Sequence, residues 1–251
     1  MSFSDSIENM IHFFILFWTV LVVPLCAEHS DEVWAHVHPY LMTEDHPIKA
    51  KMDAIFSKAR VTLNAETMNA AGFTNSKAGK WSNTVVTRHP KIPGYILKLY
   101  RDDQAGFIDW HMCYRRCLGA QCIQETIDLM GYQKMFVVPK KWIYCIPNSS
   151  PEGKCFILVA EDLKILKRKE NYAKWRSPAM SFERLEAIFL MVKSLGLSDS
   201  TVPFNIPFCK DGRNAFIDTE WHHAPYINYE RLLIFLSPRG VAFWKTLIEK
   251  L

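Results

Sequence analysis

The sequence predicts an α+β protein in which an antiparallel sheet with one long helix comes first and a mostly helical part follows. Three observations predict it. The hydrophobic period changes several times between helical and strand-like along the 251 residues. Two turn-rich stretches, HPKIPG at 89–94 and PNSSPEG at 147–153, each separate a pair of β-rich runs. Beyond residue 163 the apolar positions fall mainly at helical spacing, with cap residues at the ends. Composition agrees: 49% hydrophobic and 22% charged residues are globular values. They exclude a disordered chain, a collagen-like repeat and a polytopic membrane protein. A net charge of +4 is far from the dense basic stripe of a nucleic-acid binder, so no nucleic-acid partner is expected.

Residues 1–27 read as a separate object. Residues 11–27, IHFFILFWTVLVVPLCA, hold no formal charge. This run suits a signal peptide or an uncleaved single membrane anchor, with a buried core helix as the third reading. The first two make the protein secreted or membrane-anchored, with its domain outside the cytosol. Residues 28–47 are rich in His, Asp and Pro and read as an irregular linker. His36 and His38 in it could pair on a metal, but two ligands do not make a site.

Residues 48–163 form a small α+β part. Apolar residues from Ile48 to Leu63 have helical spacing, so a helix is expected over 48–68. TVVTR at 84–88 and YILKLY at 95–100 make a hairpin. Residues 105–130 can be helical throughout, with Gly119 as a soft spot. KWIYCI at 141–146 and CFILVA at 155–160 make a second hairpin, whose turn carries the sequon at Asn148. If that hairpin is symmetric about residue 150, Cys145 and Cys155 face each other within reach of a disulfide.

Residues 164–251 form a reduced helical part. Lys164, Lys167, Arg168, Lys169, Lys174 and Arg176 make a basic run, read as a solvated loop, with a protein partner or an anionic membrane surface as the alternative. Ser181 caps a helix that Gly196 ends, with Arg184 on its wet side. KDGR at 210–213 is a hairpin turn.

The chemistry-bearing residues are Asn205 and Asp218, thirteen positions apart across that turn. An amide oxygen and a carboxylate leaving one end of a hairpin make a hard oxygen pair suited to Mg²⁺, which shares its remaining positions with phosphates and water. In this order and interval, LSDSTVPFN at 197–205 followed by FIDTE at 216–220 resembles the catalytic loop and metal-binding motif of the protein-kinase-like fold. YILKL at 95–99 is similar to the family's strand carrying the phosphate-binding lysine, and the run from Phe156 into Glu161, Asp162 and Leu163 to its hinge.

The resemblance implies ATP and magnesium as cofactors. Lys98 would bind phosphate, Glu125 on the long helix would hold that lysine, and Glu161 would lie against the nucleotide. Asn205 and Asp218 would hold the metal, and Asp199 would be a displaced catalytic base. Asp109 and Glu161 compete with Glu125 for Lys98. Where the family has its catalytic Asp this chain has Ser200, and D-F-G is replaced by Asp218, Thr219 and Glu220. Only Gly79 stands where a glycine-rich loop is expected. A degenerate, nucleotide-binding pseudokinase is therefore expected at least as much as an active phosphotransferase. The rival class is a non-enzymatic secreted or membrane-anchored interaction protein. His222 and His223 beside Asp218 are lesser candidates for a base or a metal ligand.

Overall fold

The computed structural model describes residues 29–57, 60–74, 83–147, 149 and 154–251. The expectations for the leader at 1–27, for Gly79 and for the sequon asparagine Asn148 lie outside the described residues. Among the described residues no helix is long and apolar enough to cross a membrane.

The chain is α+β, as expected. Its helices are α1 (Asp31–Val37), α2 (Lys49–Phe56), α3 (Ala65–Ala70), α4 (Asp109–Leu129), α5 (Arg168–Trp175), α6 (Phe182–Leu195) and α7 (Pro238–Ile248). Its strands are β1 (Val85–Thr87), β2 (Tyr95–Leu99), β3 (Phe136–Val137), β4 (Lys141–Cys145), β5 (Phe156–Glu161) and β6 (Asn214–Ala215). An antiparallel sheet has the order β1-β2-β5-β4, and β3 pairs with β6 in a separate parallel ribbon. The central strand β5 is buried along nearly its whole length because both faces of the sheet are covered, which is why FILVA runs apolar without alternation. On the outer face Leu97, Leu99, Tyr144, Ile157 and Val159 pack on Met52, Phe56 and Met68 from α2 and α3. On the inner face Tyr100, Ile143, Phe156 and Leu158 meet Met112, Cys113 and Cys117 of α4, with Val33 and Val37 of α1 beside them. A third core joins the C-terminal turns of α4 to α6 and α7 around Ile123, Ile188, Phe216 and Trp244.

Four local expectations are corrected. The linker over 28–47 contains α1, whose Ser30 side chain caps the Val33 N–H and whose first turn carries Asp31 and Glu32. Those three residues are a helix start, and the acids sit where the helix dipole favours them. The helix over 48–68 is two helices, because Asn64 and Thr67 form a capping box that starts α3 afresh. Arg184 on α6 is not on a wet face: its Nη1 donates to the Met135 carbonyl at 3.1 Å and to Asn214 Oδ1 at 2.9 Å, tying α6 to the β3–β6 ribbon. Finally, Cys145 pairs with Phe156. The hairpin register is one residue off the symmetric one, so Cys145 and Cys155 are not a facing pair.

The caps of α6 are as expected. Ser181 Oγ accepts from the Arg184 N–H at 3.2 Å, and Gly196 adopts the left-handed conformation at φ 63°. This helix end directs residues 197–205 back toward the sheet.

Candidate functional site

Lys98 lies on β2 between Val86 of β1 and Leu158 of β5. Strand alternation turns it, with Ile96 and Tyr100, toward the inner face. Its Nζ donates to the Ile217 carbonyl at 3.1 Å, the peptide immediately before Asp218. Asn205 reaches the same place from the other side. Its backbone carbonyl accepts from the Ile217 N–H at 3.1 Å, and its Nδ2 donates to the Asp199 carbonyl at 2.9 Å. Val86, Ile96, Lys98, Glu161, Asn205 and Asp218 line one cleft of about 430 Å³ between the sheet and the helical part. Its size is that of a small-molecule pocket. A bidentate ion pair of Arg88 with Asp162, at 2.6 and 2.9 Å, bridges two lining residues from the sheet and from the chain leaving β5.

Glu125 is elsewhere. It sits on the exposed side of α4 and accepts from Gln121, so it does not hold Lys98. Asp109 does not either: its Oδ2 accepts from the Phe156 N–H at 2.7 Å and from the Cys155 N–H, fastening the start of α4 to β5. Glu161 lines the cleft, but its carboxylate accepts from the Lys140 N–H at 3.0 Å. The residue of α4 that meets this site is Arg116. Its Nη1 pairs with Asp218 Oδ1, and its Nη2 donates to Glu220 Oε2 at 2.6 Å. Arg115, next to it, donates to the Glu220 carbonyl at 3.1 Å and to the His222 carbonyl at 3.2 Å. Thr219 Oγ1 donates to the Arg116 carbonyl at 2.6 Å and accepts from Lys141 Nζ. Helix α4 thus holds residues 218–222 through two arginines and a threonine.

The close approach of α4 to this segment depends on Gly119. A Cβ there would stand 1.9 Å from the Thr219 carbonyl oxygen. The expected soft spot is the contact point at which a helix backbone and a loop backbone touch.

The electrostatics follow from burial among mixed charges. Burial pushes Lys98 down to about 8, against the pull of Asp218. Burial, with Lys98 and Arg116 nearby, pushes Lys141 well below the usual lysine value. Burial would raise Asp218, but Lys98, Arg116 and Lys141 outweigh it and hold the carboxyl at about 2. Asp199 is raised by burial and by Asp218, the direction a general base needs, while Arg231 stands 3.9 Å from it. Ser200 beside it is buried, with its N–H on the Leu197 carbonyl. Burial, Arg115 and His223 push His222 down to about 4, so it is neutral at physiological pH. Among the described residues no group of three or more His, Cys, Asp or Glu converges as a metal site, and His36 is hydrogen-bonded to the Glu32 carbonyl at 2.8 Å.

Arg116 and Lys141 were absent from the sequence-based site, although the signals exist. Arg116 falls in the buried helical stripe of Met112, Cys113, Cys117, Ala120 and Ile123. An arginine there needs carboxylates. Lys141 alternates with Ile143 on β4 and so faces inward.

No family model matches the chain, and no curated protein matches it.

Proposed function

We propose that this is a kinase-like nucleotide-binding protein of degenerate type, with the cleft under β2 and β5 as the site for ATP. The observation that carries the reading is that Lys98, Asn205 and Asp218, far apart in sequence, line one cleft bounded by the chain leaving β5. Their order and roles follow the protein-kinase-like resemblance. Lys98 supplies the positive charge for phosphate, and the apolar Val86, Ile96 and Ala160 supply surface for a base. Ser200 in place of the catalytic Asp, and Arg116 in place of a glutamate facing Lys98, favour binding over phosphoryl transfer. In this reading residues 11–27 bring the domain to a membrane or into the secretory route, and no protein partner is specified.

Magnesium fits this chain less well than ATP. Asn205 and Asp218 both line the cleft, but Arg116 already takes Asp218 Oδ1 and is itself fixed between Asp218 and Glu220. One oxygen of the carboxylate a divalent cation needs is engaged by a buried guanidinium.

The test is thermal unfolding of the purified full-length protein with and without ATP. Ligand at about 100 times its Kd stabilises by about 2.7 kcal/mol, a rise of several degrees for a chain of this size. No shift at millimolar ATP would leave the non-enzymatic interaction protein as the better reading. Lys98→Met sharpens the test, because the two effects it predicts have opposite sign. The ATP-dependent shift should vanish, while the ligand-free protein should gain about 1–2 kcal/mol from losing a buried ammonium.

Affinity should also depend on pH. The Lys98 ammonium titrates at about 8 in the free protein. A bound phosphate raises that value, so binding takes up a proton above pH 8 and none well below it. ATP affinity should therefore fall as pH rises through about 8, above the range, about pH 6, in which the terminal phosphate itself titrates. Calorimetric titrations from about pH 7.5 to about 9.5 would read this, and an affinity that rises with pH over that range would contradict a lysine-held phosphate.

A further inference from the structure

The charges around Asp218 carry one more step, which rests on the nucleotide reading above. They come from four elements and two loops. Lys98 is on β2, Lys141 on β4, Arg116 on α4, Arg231 on the 3₁₀ helix Tyr229–Phe235, and Asp199, Asp218 and Glu220 are on the loops after α6 and β6. Each carboxylate in this set has a cationic partner: Arg116 for Asp218 and Glu220, and Arg231 for Asp199. Lys98 and Lys141 remain: among the described residues Lys98 Nζ donates to the neutral Ile217 carbonyl and Lys141 Nζ to Thr219 Oγ1, and of the two it is Lys98 that lines the cleft, with further N–H donors for a ligand. Arg116 is buried, and its Nε–H has no hydrogen-bond partner among the described residues. A divalent cation entering here would have to displace a buried guanidinium from two carboxylates, or sit against Lys98, Lys141 and Arg116. Both options oppose metal binding.

We infer that Arg116 replaces the divalent cation at Asp218, so that the cleft binds the phosphates of a nucleotide as the metal-free anion. The ligand class is the uncomplexed nucleoside polyphosphate, held through Lys98. Mg²⁺ neutralises part of the phosphate charge before the nucleotide reaches the site. That weakens the attraction to an excess cation instead of supplying a bridge to Asp218. The same feature disfavours phosphoryl transfer, since a transferred phosphate needs metal charge that this site does not admit.

The experiment is calorimetric titration of the full-length protein with ATP, once in EDTA and once in excess MgCl₂. The expected result is binding in EDTA at least as tight as with Mg²⁺, within about threefold. Binding that is lost in EDTA, or tightened by Mg²⁺ by more than about threefold, would overturn the inference and leave the nucleotide reading standing. No binding in either buffer would overturn the nucleotide reading itself, and the inference with it. R116Q is the second arm. Freed of its guanidinium, Asp218 should now accept the metal, so Mg²⁺ should tighten ATP binding by at least about fivefold in a variant that keeps its far-ultraviolet spectrum. A folded R116Q as indifferent to Mg²⁺ as the wild type would overturn the role given to Arg116. The wild-type comparison decides alone where R116Q does not fold.

Discussion

Arg116→Ala is expected to destabilise the fold by about 3 kcal/mol, near the lower end of what breaking a buried ion pair costs. The side chain is 5% exposed, and it bridges Asp218 and Glu220, whose side chains are 28% and 18% exposed. Removing it leaves two carboxylates facing each other in a poorly solvated place, with only Lys98 and Lys141 to answer them. The partial exposure of Asp218 sets the estimate at the low end rather than at about 5 kcal/mol. A change in the denaturation midpoint with an unchanged slope would measure it. The pH profile distinguishes this electrostatic account from simple loss of packing. Asp218 is held at about 2, below its ordinary 3.8, so it contributes stability above pH 3.8 that is lost as pH falls through 2. That contribution is worth about 2 kcal/mol in the wild type and should shrink in Arg116→Ala, flattening the acid limb of the curve. An acid limb unchanged by the substitution would mean that Asp218 is held down by other groups.

Gly119→Val should be comparably damaging for a different reason. The added Cβ meets the Thr219 backbone carbonyl oxygen at 1.9 Å, and its place is fixed by the helix backbone, so no side-chain rotation relieves the clash. Helix α4 and the 218–220 segment must separate, which breaks the Thr219 bond to the Arg116 carbonyl and strains the Arg116 bridges. A loss of about 3 kcal/mol or more is expected, at the upper end of overpacking costs. Gly119→Ala should already show most of it, because the clash lies at Cβ. Under the proposed function ATP affinity should fall as well, since the same segment carries the Ile217 carbonyl that positions Lys98. If Gly119→Ala unfolds within about 0.5 kcal/mol of the wild type, the contact between α4 and Thr219 is looser than described.

The parts of the fold legible in sequence are those set by short-range chemistry. Ser181 and Gly196 bound α6 because cap preferences act within a turn of the chain. The hairpin of β1 and β2 was readable from its period and from the HPKIPG turn. The hairpin of β4 and β5 was readable as a hairpin but not in register, because a longer loop leaves the pairing free to slip by one residue. The site shows the same division. Lys98, Asn205 and Asp218 could be named from order and spacing. Glu125 was misassigned because it was chosen from the family resemblance and not from the inward-facing side of the 21-residue helix. The apolar stripe of α4 carried that answer, and it contains Arg116 rather than Glu125. The partner of Asp218 was invisible for a second reason. A pair that brings a helix to a loop about a hundred residues later is decided by tertiary packing alone.

Under the proposed function one cleft, under β2 and against the chain leaving β5, holds the nucleotide. Photolabelling of the full-length protein with an azido-ATP probe, followed by peptide mapping, tests it most directly. The account predicts labelled peptides from 95–99 or 161–165, with labelling suppressed by excess unmodified ATP and lost in Lys98→Met. Labelling confined to other segments, or labelling that excess ATP does not suppress, would contradict it.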